Sequence, residues 1–315
     1  MINVVTVHWQ TPKWIEVQLS YLERNLAGEF RVFAALNGIS DLELRDRFHY
    51  AVDLEGTHEE KLNALAKVVI EQSDPTDILM FVDGDAFPVQ SLDAWMHESL
   101  RSYPLAAVRR DENVGDRQPH PCFCVTTVGF WREIDGDWCR GGTWINAVGK
   151  EVTDPGGNLL HQLQELDQDW LPLVRTNTNN PHPLWFAIYG HLVYHHGAGF
   201  RAMLSRTDFT LQPKFKNAYV SMKKGPTLGG LRLAVQADPS RLAHLRPHHL
   251  LVFTRAVQKT ILERRRHWYM RQQSQYVERT EAQAEEIFAR LQVDPDFYLQ
   301  LDGRAAEASS DPTLH

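Results

Sequence analysis

Along the first two hundred residues, short runs of β-branched and aromatic residues alternate with stretches whose apolar positions recur every three or four residues. Ile2 to Val7 is the first such run, closed by His8-Trp9-Gln10-Thr11-Pro12. From Pro12 onward Trp14, Val17, Leu19, Tyr21, Leu22 and Leu26 supply an apolar side, which predicts a helix that Gly28 stops. Phe30 to Leu36 reads as a second strand, ending in the turn cluster Asn37-Gly38-Ile39-Ser40-Asp41. Thr57 with Glu60 three residues on forms a capping-box signature, predicting a helix with Leu62, Leu65, Ala66, Val69 and Ile70 on its core side. Strand, helix, strand opens a βαβ unit, so the expected fold class is α/β: a mixed sheet with helices on both faces.

The run Ile78 to Val82 has strand length and stops abruptly at Asp83-Gly84-Asp85, followed by Ala86-Phe87-Pro88. Asp-x-Asp alone decides nothing, since it recurs at Asp135/Asp137, Asp167/Asp169 and Asp294/Asp296. Only Asp83/Asp85 ends a buried apolar run and is closed by a Phe-Pro that cannot extend a central strand. Ligands of open α/β sheets bind beyond the carboxyl ends of the strands, where two carboxylates can hold a hard divalent cation and, through it, phosphate oxygens. The competing reading is a turn with N-capping aspartates. On the first reading both acids stand in a solvent-accessible cleft and cost little stability to remove.

Further on, Leu92 starts a helix, Leu105 to Val108 reads as a short strand, and Cys122 to Trp131 reads as another. Arg109 to Pro121 is charged, Asp135 to Gly157 is rich in Gly, Asp and Trp, and stretches of this kind commonly carry function. Asp154-Pro-Gly-Gly-Asn precedes a helix from about Leu159 to Glu165, and His191 to Arg201 brings histidines and glycines together. Beyond about residue 206 the segments are long, mostly polar and helical in pattern, which divides the chain into a first domain at 1–205 and a helical extension at 206–315.

Charge supports two functional halves: the net −7 of the 315 residues divides into −13 over residues 1–200 and +6 over 201–315. No window holds the 18 or so apolar residues of a membrane span and the start lacks a basic n-region, so a cytoplasmic protein is expected. Cys122, Cys124 and Cys139 are read as thiols of a reducing compartment, and a zinc site would need further ligands even with His120 adjacent.

The order of His8-Trp-Gln-Thr-Pro12, Leu36-Asn37-Gly38-x-Ser40-Asp41, His58-x-x-Lys61-Leu-Asn63-Ala, Val82-Asp83-Gly-Asp85-x-x-Pro88 and Tyr194-His195-His196-Gly-Ala-Gly resembles the GT-A superfamily of nucleotide-sugar glycosyltransferases, near its family 2-like members. The resemblance covers roughly residues 2–205. It implies a GT-A-like, Rossmann-like domain, with His8, Trp9, Asn37, His58, Lys61, Asn63, Asp83 and Asp85 at the donor. It further implies that Asp85, with His195 or His196, ligates a Mg²⁺ or Mn²⁺ bridging the diphosphate, His195 being preferred. Two carboxylates and an imidazole suit Mn²⁺. UDP-sugars are the favoured donors, although the uracil-recognition turn usual in the family is replaced here by Leu36-Asn37-Gly38-Ile39. The acceptor, whether saccharide, protein, lipid-linked or nucleic acid, is left open.

An inverting transferase needs a carboxylate to deprotonate the acceptor hydroxyl. Asp154 is the candidate, with Asp135 and Asp137 as runners-up; as a helix N-cap it would be structural. The alternatives are a sugar nucleotidyltransferase, whose Gly-rich basic loop is missing after the first strand, and a non-catalytic saccharide- or nucleic-acid-binding module. In the C-terminal half, Leu250, Leu251, Phe253, Val257, Ile261, Leu262, Trp268, Tyr269 and Tyr276 form an apolar stripe beside Arg264, Arg265 and Arg266. The stripe is expected to pack on the first domain or to pair two protomers as a homodimer, and the arginines could grip an anionic acceptor.

Overall fold

The computed structural model describes residues 1–147, 149–200, 264, 271 and 274–304. The chain divides into two compact units, one of residues 1–201 with 287–315 and one of residues 202–286. Most of the C-terminal stripe, and Arg265 and Arg266, lie outside the described residues, while Arg264 and Arg271 are helical and exposed.

The βαβ opening forms as the pattern predicts: β1 (Ile2–Trp9), α1 (Ile15–Asn25) and β2 (Phe30–Asn37), with β2 parallel to β1. After α2 (Leu42–Arg45) and β3 (Tyr50–Val52), α3 (His58–Gln72) begins at the expected capping box. The Thr57 side chain accepts from Glu60 N–H while the Glu60 carboxylate accepts from Thr57 N–H. There follow β4 (Ile78–Val82), β5 (Ala86–Pro88), α4 (Asp93–Ser102), β6 (Leu105–Val108) and β7 (His120–Thr127). Here the structure corrects the expected strand Cys122 to Trp131: the Thr127 side chain accepts from Phe130 N–H and caps α5 (Val128–Glu133). The chain continues through β8 (Trp144–Ile145), β9 (Glu151–Val152), α6 (Gly157–Glu165), β10 (Leu171–Leu173), β11 (Ala187–Tyr189) and β12 (Val193–His195).

Seven strands form the main sheet in the order β10-β6-β7-β4-β1-β2-β3. β7 runs antiparallel to both its neighbours, and the other pairings are parallel. With a period of two, Ile2 and Val4 of β1 join a core layer with Ile15, Leu19 and Leu22 of α1 and Met96 of α4. Val5 and Val7 join the opposite layer with Leu62, Leu65 and Val69 of α3, Trp131 of α5 and Leu159 of α6. Helices therefore cover both faces, which is why β4 is buried at every position.

A second, three-stranded sheet, β11-β12-β5, stands beyond the end of β4. The central strand stops at Val82, before the Asp83-Gly84-Asp85 turn, and Ala86–Pro88 forms β5 at the edge of this small sheet, where a proline is tolerated. Residues 287–304 return to the first unit: the Phe288 ring packs on Trp14 at 4.7 Å between centroids, and the Leu291 carbonyl accepts from Tyr21 Oη at 3.3 Å.

Candidate metal centre and donor cleft

β4 delivers Asp83 to the carboxyl end of the sheet, and the turn to β5 leaves Asp85 two residues on. The turn is held from beneath. Gln18 of α1 donates through Nε2 to the carbonyls of Asp83 and Ala86, both at 2.8 Å, and its Oε1 accepts from Thr6 Oγ1 at 3.2 Å. His8 Nε2 lies 3.1 Å from the same Oε1 and donates to it, leaving Nδ1 as a buried acceptor without a partner. Burial of the whole ring lowers its pKa to about 4, which keeps it neutral. A side chain at Gly84 would bring its Cβ within 2.5 Å of the Val7 carbonyl oxygen and 2.9 Å of His8 Nδ1, so only glycine fits this turn.

The small sheet brings the third group. β12 pairs antiparallel with β5, setting His195 opposite Ala86, and His196 N–H donates to the Asp85 carbonyl at 3.0 Å. His195 Nε2 then lies 3.7 Å from Asp83 Oδ2 and 3.6 Å from Asp85 Oδ1. Each carboxylate spends its other oxygen on the protein. Asp83 Oδ1 is 2.8 Å from His58 Nε2, and Asp85 Oδ2 accepts from Gly197 N–H at 3.0 Å and Gly199 N–H at 2.8 Å. Two carboxylate oxygens and one imidazole nitrogen therefore converge, all within 4.8 Å of one another. This donor set, hard oxygens with a borderline nitrogen, fits Mn²⁺ or Mg²⁺.

Burial opposes ionisation of Asp83, but the charge of His58 and its hydrogen bond outweigh it and hold the carboxyl well below the usual range. Burial likewise opposes the His58 charge, and Asp83 reverses that too, so the His58 pKa is raised.

Around this group opens a cleft of about 400 Å³ lined by Trp9, His58, Asp83, Asp85, Arg110, His120, Asp154, His195 and the loop 197–200, among others. Six of the residues expected at the site thus meet in one place: Trp9, His58, Asp83, Asp85, Asp154 and His195. Trp9 is 41% exposed at the mouth, with the Lys61 ammonium 4.1 Å from its ring centroid. The others lie elsewhere. His8 supports the turn from below, and Asn37 donates to the Leu54 carbonyl at 2.8 Å. Asn63 fastens the 137–139 loop, donating to Asp137 Oδ1 at 2.5 Å and accepting from Trp138 N–H at 3.0 Å. His196 points away from the carboxylates into the core: its Nδ1 bonds Tyr194 Oη at 2.9 Å and its ring packs on Trp14.

Asp154 is no N-cap. Gly156, at φ 90°, caps α6 without a side-chain bond, and a Cβ there would collide with the Pro119 carbonyl. Burial raises the Asp154 pKa, with the Arg110 and Arg140 charges acting the other way; Arg140 Nη2 is 3.8 Å from Asp154 Oδ1. Arg110 and His120 were not among the expected site residues. The sequence marks them by the charged, proline-bearing stretch 109–121, and His120 also by its place beside Cys122.

No protein-family model matches the sequence, and no curated protein matches it. Among solved structures the chain is similar to S. aureus TarS, at 12% identity and a TM-score of 0.32, over 44% of this chain and 50% of that one. It is also similar to the galactosyltransferase LgtC in complex with donor and acceptor sugar analogues, at 12% identity and a TM-score of 0.35, over 55% of this chain and 73% of that one. A third is the glycosyltransferase GlyE of Streptococcus pneumoniae TIGR4, at 15% identity and a TM-score of 0.36, over 55% and 45%. The match thus spans about half the length of the TarS chain. In this protein the mixed sheet with one reversed strand, the helices on both faces and the Asp-x-Asp beyond β4 are in hand directly. The fold is α/β, a mixed seven-stranded sheet between two layers of helices. The cleft opens where ligands of α/β sheets bind, off the carboxyl ends of β1 and β4.

Proposed function

We propose that the chain is a metal-dependent glycosyltransferase that moves a sugar from a nucleotide-diphosphate donor, a UDP-sugar by preference, to a hydroxyl-bearing acceptor. The observation that carries this reading is the convergence of Asp83, Asp85 and His195 within 4.8 Å at the floor of a cleft. Asp83 Oδ2, Asp85 Oδ1 and His195 Nε2 would hold Mn²⁺ or Mg²⁺. A bound divalent cation neutralises the charge that develops on a departing diphosphate, a contribution of several kcal/mol.

The chain's own residues supply the rest. His58 fixes the orientation of the Asp83 carboxylate through its 2.8 Å bond, and Gly197 and Gly199 fix Asp85. Trp9 offers an exposed ring face at the cleft mouth for a nucleobase, with Lys61 stiffening it from one side. Asp154 takes the proton of the acceptor hydroxyl, and its raised pKa brings it closer to the range in which a carboxylate is an effective base. In-line attack with Asp154 opposite the diphosphate would invert the anomeric centre.

The test is a thermal-shift screen of UDP-, GDP-, CMP- and dTDP-sugars, each with Mn²⁺ and with chelator, followed by donor turnover. A donor at 100 times its Kd adds about 2.7 kcal/mol of stability, and the shift should vanish with chelator. Stabilisation that is the same in chelator, or turnover that survives it, overturns the metal-dependent reading. Binding without any turnover would identify a non-catalytic module instead.

A further inference from the structure

Arg110 and His120 line the same cleft and have no part in the chemistry above. The main sheet brings them together: β6 pairs with β7 so that Val108 faces His120 across an irregularity, and Arg110 follows two residues later. His120 is 8% exposed. Its Nδ1 accepts from Cys122 N–H at 3.1 Å. A neutral imidazole whose Nδ1 accepts must carry its proton on Nε2. Burial, with the neighbouring Arg110 charge, keeps the ring neutral by pushing its pKa well below the ordinary value.

Yet the group 3.2 Å from that Nε2 is Nη1 of Arg110, and a guanidinium has only donors. Both ring nitrogens thus face N–H donors, those of Cys122 and Arg110, and a neutral imidazole has one lone pair to offer them, so one donor is left without an acceptor. Arg110 Nε is sealed from solvent and also lacks a partner, and among the described residues no carboxylate pairs with the guanidinium. Adjacent donors of this kind, one of them charged, cost free energy unless an acceptor serves both. A phosphate or carboxylate does so, with the fork of the guanidinium matching its oxygens.

We propose that Arg110 and His120 form an oxyanion subsite, distinct from the metal-diphosphate position, that takes a phosphate or carboxylate carried by the acceptor or by the transferred sugar. The subsite rests on the glycosyltransferase reading only for the role of its ligand. Its location is set by geometry: the His120 and His195 rings are 6.1 Å apart between centroids, and Arg110 is near enough to Asp154 to act on its carboxyl. It therefore adjoins the metal group on the side of the candidate base. A neutral sugar hydroxyl makes little use of a guanidinium there, whereas an anionic substituent is held and oriented by it.

The test follows the His120 imidazole ¹⁵N resonances of the full chain by NMR during titration with inorganic phosphate, first alone and then after saturation with Mg²⁺ and pyrophosphate. Phosphate should shift the Nε2 resonance in both cases. Arg110→Gln should weaken phosphate at least tenfold while changing Mg²⁺-pyrophosphate affinity less than twofold. Arg110→Lys, which keeps the charge without the fork, should fall between. Arg132→Gln, at an exposed arginine of α5, should leave both affinities as they were. Substituting glucuronate for phosphate tells which oxyanion is preferred. Competition between phosphate and Mg²⁺-pyrophosphate, or undiminished phosphate affinity in both Arg110 variants, overturns the subsite. If Mg²⁺-pyrophosphate fails to bind while the Arg110-dependent phosphate shift persists, the subsite stands and the glycosyltransferase reading falls.

Discussion

Asp85 has two jobs on its two oxygens, and substitutions can separate them. The residue is only 4% exposed, so it is not the freely accessible acid that its position after a strand suggests. Oδ2 anchors the loop after β12 through Gly197 and Gly199 N–H, while Oδ1 faces His195. Asp85→Ala therefore does more than empty a ligand position: it strands two N–H donors, at about 1–3 kcal/mol each where they stay dry. Asp85→Asn keeps a carbonyl oxygen for those donors but turns an amide toward the metal position, where it cannot replace a carboxylate. The expected outcome is that Asp85→Asn melts within a few degrees of the wild type, that Asp85→Ala melts clearly lower, and that both lose Mn²⁺ binding measured by titration. Equal melting temperatures for the two variants would show that the Oδ2 bonds contribute nothing. The expected solvent-accessible Asp85 is instead buried, because sequence shows where a strand ends but not which loop folds back over its end.

The element that completes the site is the small sheet, and the loop after it approaches its neighbours closely at two glycines. Gly197, at φ 89°, turns the chain after β12, and Gly199 is pressed against Asp85: an added Cβ would lie 2.6 Å from Asp85 Cβ and nearer still to Trp14 Nε1. Gly199→Ala should push this loop off the carboxylate, lowering Mn²⁺ affinity by about tenfold or more, with far-UV circular dichroism unchanged because the main sheet is untouched. Unaltered Mn²⁺ affinity would show that the loop gives way freely. At this scale much was legible beforehand. The strands Ile2–Val7, Phe30–Leu36 and Ile78–Val82 and the Thr57 capping box stand out because buried runs and caps are local patterns. Arg110 and His120 did not, since their meeting depends on the reversed strand β7 and an irregular register with β6, which no local spacing encodes. Between the neighbours His195 and His196, only the family resemblance favoured His195 as the ligand. Strand alternation separates them, sending one toward the carboxylates and the other onto Trp14.

For the molecule as a whole, the first unit is discontinuous in sequence: residues 287–304 belong with residues 1–201 although 85 residues intervene. The returning segment buries Phe288, Leu291, Phe297 and Leu301, with exposures of 9%, 2%, 4% and 3%. At about 1.5–3 kcal/mol for each buried side chain of this size, the four contribute roughly 6–12 kcal/mol before entropy is charged against them. Polar contacts fix the register: the Asp302 carboxylate accepts from His191 Nδ1 at 2.8 Å, and the Asp302 carbonyl accepts from Thr178 Oγ1 at 3.3 Å. A domain's whole stability is only about 5–15 kcal/mol, so a fragment ending at residue 201 should be largely unfolded even though it keeps every strand of the main sheet and every ligand of the metal group. Circular dichroism melting of the 1–201 fragment checks this. The expected result is loss of a cooperative transition, with partial recovery on adding a peptide of residues 287–304, and recovery should be weaker when that peptide carries Phe288→Ala. A 1–201 fragment that melts cooperatively near the temperature of the full chain would show the returning segment to be dispensable, and would place the stability of the cleft in the main sheet alone.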